Sequence, residues 1–137
     1  MFGAPSERAA AAAVLDAVPP DRCIDLVGGV DLLTVFACLR RCTLYLGNDS
    51  GLMHMAAAAG TATLGLFGPS PEVNYAPWGP RTRVVRGPLS YRDIVDSVEF
   101  HHLSGRSYMD SLTVDAVVAA AERLLQPTDE AAEAPRA

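Results

Sequence analysis

The chain has 137 residues, half of them apolar, and a formal charge of −5, enough for one domain with a real core and no more. It holds no run of about 18 uninterrupted apolar residues, so no membrane-spanning helix is expected, and Glu7 and Arg8 ahead of the first apolar stretch do not open a signal peptide. Every one of the 11 basic residues is arginine, which leaves no Walker-type phosphate loop and no Schiff-base lysine, while the acidic balance argues against broad nucleic-acid binding.

In chain order, helices and strands alternate. Ser6 is placed to cap a helix from Glu7 to Ala17, stopped before Pro19-Pro20. Ile24 to Val27 reads as a short apolar strand closed by Gly28-Gly29, after which Asp31 caps a helix with Leu32, Leu33, Val35, Phe36 and Leu39 on one face. A strand over Thr43 to Gly47 leads into a helix from Ser50 to Ala59, stopped by Gly60. Ala62 to Gly68 and Thr82 to Arg86 read as two further strands. Residues 88 to 112 show no clean period beyond one helical turn; Thr113 then caps a helix to Leu125 with Val114, Val117, Val118, Ala121 and Leu124 on one side. The expected domain spans 1–125, and the Ala/Glu/Pro-rich stretch 126–137 is expected to be a disordered tail. Strand-helix alternation implies an α/β, Rossmann-like parallel sheet with flanking helices. Met1-Phe2-Gly3 stand directly before the first turn as the end of a strand would, so the domain is expected to lack its first strand or strands.

The three cysteines, Cys23, Cys38 and Cys42, have no CxxC spacing; Cys38 and Cys42 read as small buried hydrophobes on a helix, which suits a reducing compartment. His101-His102 has no companion ligands, and adjacent side chains diverge, so it makes a poor metal pair.

Three strand ends carry glycine: Gly28-Gly29, Gly47-Asn48-Asp49 and Gly68-Pro69. Ligands of parallel α/β sheets bind beyond such ends. At the second, the chain turns through Asp49, Ser50 and Gly51 into a helix whose free first-turn amides and dipole favour a phosphate. Ser50 and His54 stand i,i+4 and address one face. The plainer alternatives are an N-cap at Asp49 or Ser50 and a core histidine at 54; their coincidence at a strand end favours a ligand. A serine-hydrolase reading fails because GNDSG is not a GxSxG elbow.

The stretch GNDSGLMHMAAAAGTATLGLFGPSPEVNYAPWGP resembles the signature of glycosyltransferase family 9, the lipopolysaccharide heptosyltransferases: Asp, a small hydroxyl residue, Gly, then His, an alanine-rich helix, a strand ending LFGP and a Tyr-x-Pro-Trp-Gly loop. The likeness extends over GAPSERAAA, DLVGGVDLLTVFACLRRC and the Thr-capped last helix, covering residues 2 to 125 with 88 to 112 the poorest part. It implies the carboxyl-terminal, donor-binding half of a two-domain GT-B fold. The implied donor is a nucleotide-sugar such as ADP-heptose, with Ser50 and Gly51 on the diphosphate and His54 beside it. Asp49 then faces the phosphates or the transferred sugar, Glu7 the ribose hydroxyls and Val30 the adenine. Val30 departs from the methionine common at that position.

The same resemblance places the general base and the acceptor site, for a lipopolysaccharide core or other lipid-linked acceptor, in an amino-terminal domain. No catalytic residue is then expected in this chain, and the chain alone is expected to be inactive and prone to self-association. No metal and no cofactor are implied. The implied location is cytoplasmic, peripheral at the inner face of the inner membrane. The alternatives are a non-catalytic nucleotide-sugar-binding or interaction module and a related GT-B enzyme with another donor, sugar 2-epimerases included; the Tyr-x-Pro-Trp-Gly loop favours the transferase.

Overall fold

The computed structural model describes residues 1–101 and 108–126. The chain divides into two compact units, Met1–Cys38 and Leu39–Ala137, within the span expected to be one domain; the expected tail beyond 126 lies outside the described residues.

In the first unit, a 3₁₀ turn at Pro5–Glu7 runs into helix α1 (Arg8–Ala17). Ser6 is not its cap. It lies inside the turn, and the Glu7 carboxylate closes the entry instead by accepting the Ala4 N–H at 2.6 Å. Ile24 to Val27 is not a regular strand, a correction to the sequence reading. The segment is nevertheless extended beside Met1–Gly3: the terminal amine donates to Ile24 O at 2.6 Å, Leu26 N to Met1 O at 3.0 Å and Gly28 N to Gly3 O at 2.9 Å. That is the slanted hydrogen-bond pattern of a parallel pair, too short to be a full ladder. Arg8 fastens α1 to this segment through hydrogen bonds to the Asp25 carboxylate and Val27 O. Gly28 turns at φ +68°, and any side chain there would press on the Pro5 backbone, so it closes the segment as expected.

Asp31 caps helix α2 (Leu32–Leu39) as the sequence predicts, taking the Thr34 amide at 2.9 Å and its hydroxyl at 3.0 Å; these bonds hold the Asp31 carboxyl below the usual carboxylate range. Its apolar face is narrower than predicted: Val35 and Leu39 are buried, but Leu32 and Leu33 are 65% and 82% exposed. Leu33 sits two residues, about 200° of helical turn, from Val35 and cannot share its face. Cys38 is half-buried, whereas Cys42 is exposed rather than buried as expected, because it lies past the helix end.

The second unit is built on a three-stranded parallel sheet in the order β1-β2-β3, with β1 at Leu44–Asn48, β2 at Ala62–Phe67 and β3 at Thr82–Arg86. The central strand β2 is buried along almost its whole length, as parallel strands covered on both faces are. Helix α3 (Gly51–Ala58) packs on β1 and β2. Gly65 has no side chain because Met53 and Phe67 fill that space: a Cβ would stand 2.6 Å from Met53 Sδ. Gly60, at φ +79°, ends the α3 turn.

Thr61 and Thr63 are the buried polar residues of this core, and both hydroxyls are satisfied, on Leu39 O at 2.6 Å and Thr61 O at 2.8 Å. Two short helices complete the unit: α4 (Glu72–Tyr75), which was not predicted, and α5 (Tyr91–Val95), the one helical turn expected within residues 88 to 112. The second opens with a reciprocal cap, Ser90 Oγ accepting the Asp93 amide and Asp93 accepting the Ser90 amide. The last helix, α6 (Val114–Leu125), is capped by Thr113 as predicted and packs on β2 and β3. Its inward side is not the predicted one throughout: Ala120 is buried, while Val114 and Val118 are 76% and 48% exposed. Val114 is the first residue of the helix.

Candidate functional site

The register puts two of the glycine-bearing strand ends side by side. Asn48 pairs with Leu66, and the Asp49 amide donates to Leu66 O at 3.3 Å. Phe67 in turn pairs with Arg86. The carboxyl ends of all three parallel strands therefore form one edge, and the turn Asp49-Ser50-Gly51 rises from it into α3. The third predicted end, Gly28-Gly29, belongs to the other unit.

Ser50 holds the N-cap position of α3 with extended backbone (φ −161°, ψ 166°), and its carbonyl accepts the amides of Met53 and His54 at 3.1 and 3.4 Å. Its hydroxyl makes no cap hydrogen bond, so Ser50 is the N-cap by backbone position without the side-chain bond of one. The amides of Gly51 and Leu52 precede any i−4 carbonyl of the helix and point outward from its start. Nothing lies within 4 Å of where a Gly51 side chain would begin. On the same face His54 is half exposed, so it is not a core histidine; its Nε2 stands 4.0 Å from Asp49 Oδ1, beyond hydrogen-bond distance. The side chain of Asp49 is 20% exposed. The helix itself is anchored below by Met53 and Ala56, both fully buried.

The other glycines of these ends serve the fold. A side chain at Gly47 would meet the Tyr45 ring, and one at Gly68 the Met109 side chain at 2.7 Å. Of the glycines beyond β1 and β2, Gly51 is the one facing open space at the strand ends. Of the other predicted donor contacts, Glu7 is exposed and Val30 half-buried, both in the first unit. Glu7 already accepts the Ala4 amide through one oxygen, leaving the other for a ligand.

One residue at this edge went unread in the sequence. Arg86, at the end of β3, has a side chain only 11% exposed and grips the loop that follows β2. Its guanidinium donates to Gly68 O, to Ser70 O at 2.6 Å and to both oxygens of Glu72, at 2.6 and 3.3 Å. The arginine bond holds the Glu72 carboxyl below its usual range. No spacing signal announces a contact between residues 14 apart in a loop and a strand.

His101 lies against Tyr108, whose hydroxyl accepts its amide at 2.9 Å; His102 lies outside the described residues. No group of three or more His, Cys, Asp or Glu side chains among the described residues is arranged to hold a metal ion. No helix among them is long and apolar enough to cross a membrane.

Comparison with known proteins agrees with the residues that carry the resemblance. The model of glycosyltransferase family 9 (heptosyltransferase) matches residues 1–100. Lipopolysaccharide heptosyltransferase 2 of Escherichia coli strain K12 is 30% identical over 109 residues, 76% of this chain and 31% of that protein. Lipooligosaccharide heptosyltransferase 2 of Haemophilus influenzae is 28% identical over 89 residues, 63% of this chain and 26% of its own length. A crystal structure of a family 9 glycosyltransferase from Veillonella parvula superposes with a TM-score of 0.71 at 27% identity, and E. coli ADP-heptose lps heptosyltransferase II with 0.69 at 25%. Each superposition covers 90% of this chain and 35% of the other. The chain thus spans about a third of the length of the relatives it matches, and on the family match over its first hundred residues it belongs to glycosyltransferase family 9.

Proposed function

We propose that this chain is the donor-binding part of a heptosyltransferase-like enzyme, taking a nucleotide-sugar of the ADP-heptose kind for transfer to a lipopolysaccharide core acceptor. The observation that carries the reading is the start of α3: two amides without helical partners, an uncapped Ser50 hydroxyl and open space over Gly51, with His54 on the same face. Such a cluster suits a diphosphate, since amides at a helix start and an imidazole nitrogen all donate toward negative charge. Asp49, as an acceptor, suits a hydroxyl of the transferred sugar better than a phosphate oxygen. Glu7 and Val30 are assigned the ribose hydroxyls and the adenine.

Inverting transfer also needs a base to deprotonate the acceptor hydroxyl and groups to take up charge on the leaving diphosphate. The α3 turn supplies the second of these. Asp49, beside His54 and the phosphate turn, is poorly placed for the first, so the chain alone is expected to bind donor without transferring sugar. An acceptor of this kind implies action at the cytoplasmic face of the inner membrane.

The test is calorimetric titration with ADP. Gly51→Val places a branched side chain where phosphate must approach and meets no neighbour, so binding is expected to vanish with the fold intact. His54→Ala removes one hydrogen bond to a charged ligand and is expected to cost about 1.5 to 3 kcal/mol of affinity. ADP binding unchanged by Gly51→Val would place the phosphate elsewhere.

A further inference from the structure

An arginine at a strand end beside an anion-binding turn would ordinarily be taken for a phosphate ligand. Arg86 is otherwise engaged. A guanidinium has five N–H donors, and here Nη1 donates to Gly68 O, Nη2 to Ser70 O, and Nε and Nη2 to the two oxygens of the Glu72 carboxylate in a bidentate fork. The side chain is 11% exposed, leaving little of it to reach a ligand.

Its acceptors lie along one loop. Gly68 is two residues past Leu66, the residue that takes the Asp49 amide, so the loop leaves β2 next to the turn that opens α3, one strand spacing of about 4.8 Å away. Glu72 is the first residue of α4. The fork therefore fixes both ends of the segment from Gly68 to Glu72, and it occupies two carbonyl oxygens and a carboxylate, groups that would repel an approaching diphosphate.

We infer that Arg86 is a positioning residue for the donor site: by gripping Gly68, Ser70 and Glu72 it holds the loop beyond β2 in the shape that admits an anion at the Asp49-Ser50-Gly51 turn, without touching the ligand itself. The inference rests on the donor-binding reading above and deepens it.

Arg86→Lys keeps the charge and loses the fork; Glu72→Gln keeps an acceptor and loses the ionic pairing. Two readouts apply to each full-length variant, at a temperature where circular dichroism shows it folded: ADP affinity by calorimetry, and the fluorescence anisotropy of Trp78. Trp78 is the chain's single tryptophan, 92% exposed and just beyond α4. Arg86→Lys is expected to weaken ADP binding about tenfold, the scale of a lost charge-assisted bond, and to lower Trp78 anisotropy as α4 loosens. Glu72→Gln is expected to move both readouts the same way by less. Gly51→Val is expected to lose ADP while keeping wild-type anisotropy. Folded Arg86→Lys with wild-type ADP affinity overturns the inference and leaves the donor reading standing. A wild-type chain that does not bind ADP overturns both, and unchanged anisotropy in both variants overturns the fixed loop.

Discussion

Gly65→Ala tests whether the platform beneath the candidate site is as tightly packed as the geometry states. The new methyl would lie 2.6 Å from Met53 Sδ and 2.9 Å from Phe67 Cε2, both well inside van der Waals contact. Met53 is 0% and Phe67 1% exposed, so neither can swing into solvent, though the thioether can bend further than the ring. Overpacking of this kind costs about 1 to 3 kcal/mol. Replacing glycine by alanine also stiffens the unfolded chain, which returns about 0.4 to 1 kcal/mol. A net loss of about 1 to 2 kcal/mol is expected. Urea denaturation followed by circular dichroism reads it as a lower midpoint at unchanged slope. Gly51→Ala is the matched control: its Cβ meets nothing within 4 Å, so it keeps the unfolded-chain gain of about 0.4 to 1 kcal/mol without the clash and is expected to be at least as stable as wild type. A Gly65→Ala chain as stable as wild type would refute the packing of α3 on β2, and with it the rigid seat assigned to the Asp49-Ser50-Gly51 turn.

Two further outcomes follow from buried and paired groups. Thr61→Val removes the hydroxyl that donates to Leu39 O at 2.6 Å in a site 5% exposed; Leu39 O keeps the Cys42 amide at 2.9 Å, so the expected cost is that of one hydrogen bond, about 0.5 to 1.5 kcal/mol, read as a lower melting temperature, and no loss would mean water replaces the donor. The folded Glu72 carboxyl is held low by Arg86, so its contribution is present above the unfolded value, roughly pH 4.3, and is lost as pH falls through the lowered folded value. Glu72→Gln should therefore be less stable than wild type at pH 7, by under about 1 kcal/mol because the Glu72 side chain is 47% exposed, and equal to it in stronger acid. A stability difference that persists unchanged in acid strong enough to protonate Glu72 would show that charge is not its origin.

Where a rule acts within a few residues, the chain reads correctly by itself at most positions, the cap expected at Ser6 being the exception. Asp31 three residues before Thr34, Thr113 before the last helix and Gly60 after α3 each end or begin an element through contacts within one turn. The apolar runs at Leu44, Ala62 and Thr82 become strands because nothing helical can be made of their length and punctuation. The turn at Asp49-Ser50-Gly51 was legible for the same reason. Ser90-x-x-Asp93 is a reciprocal cap of the same local kind, at the start of a helix of five residues.

What depended on partners far along the chain was not legible. Ile24 to Val27 has the composition of a strand, but only Met1–Gly3 lies beside it, and so few bonds make no ladder. Glycine at 47 and 68 looks in sequence like room for a ligand; the folded chain fills those spaces with Tyr45 and Met109, leaving Gly51 open. Helical period marks Val114 and Val118 as apolar but cannot say how far a neighbouring sheet extends to cover them. The Arg86 fork exists because parallel pairing brings the end of β3 beside the loop that leaves β2, a juxtaposition set by register and absent from any local pattern.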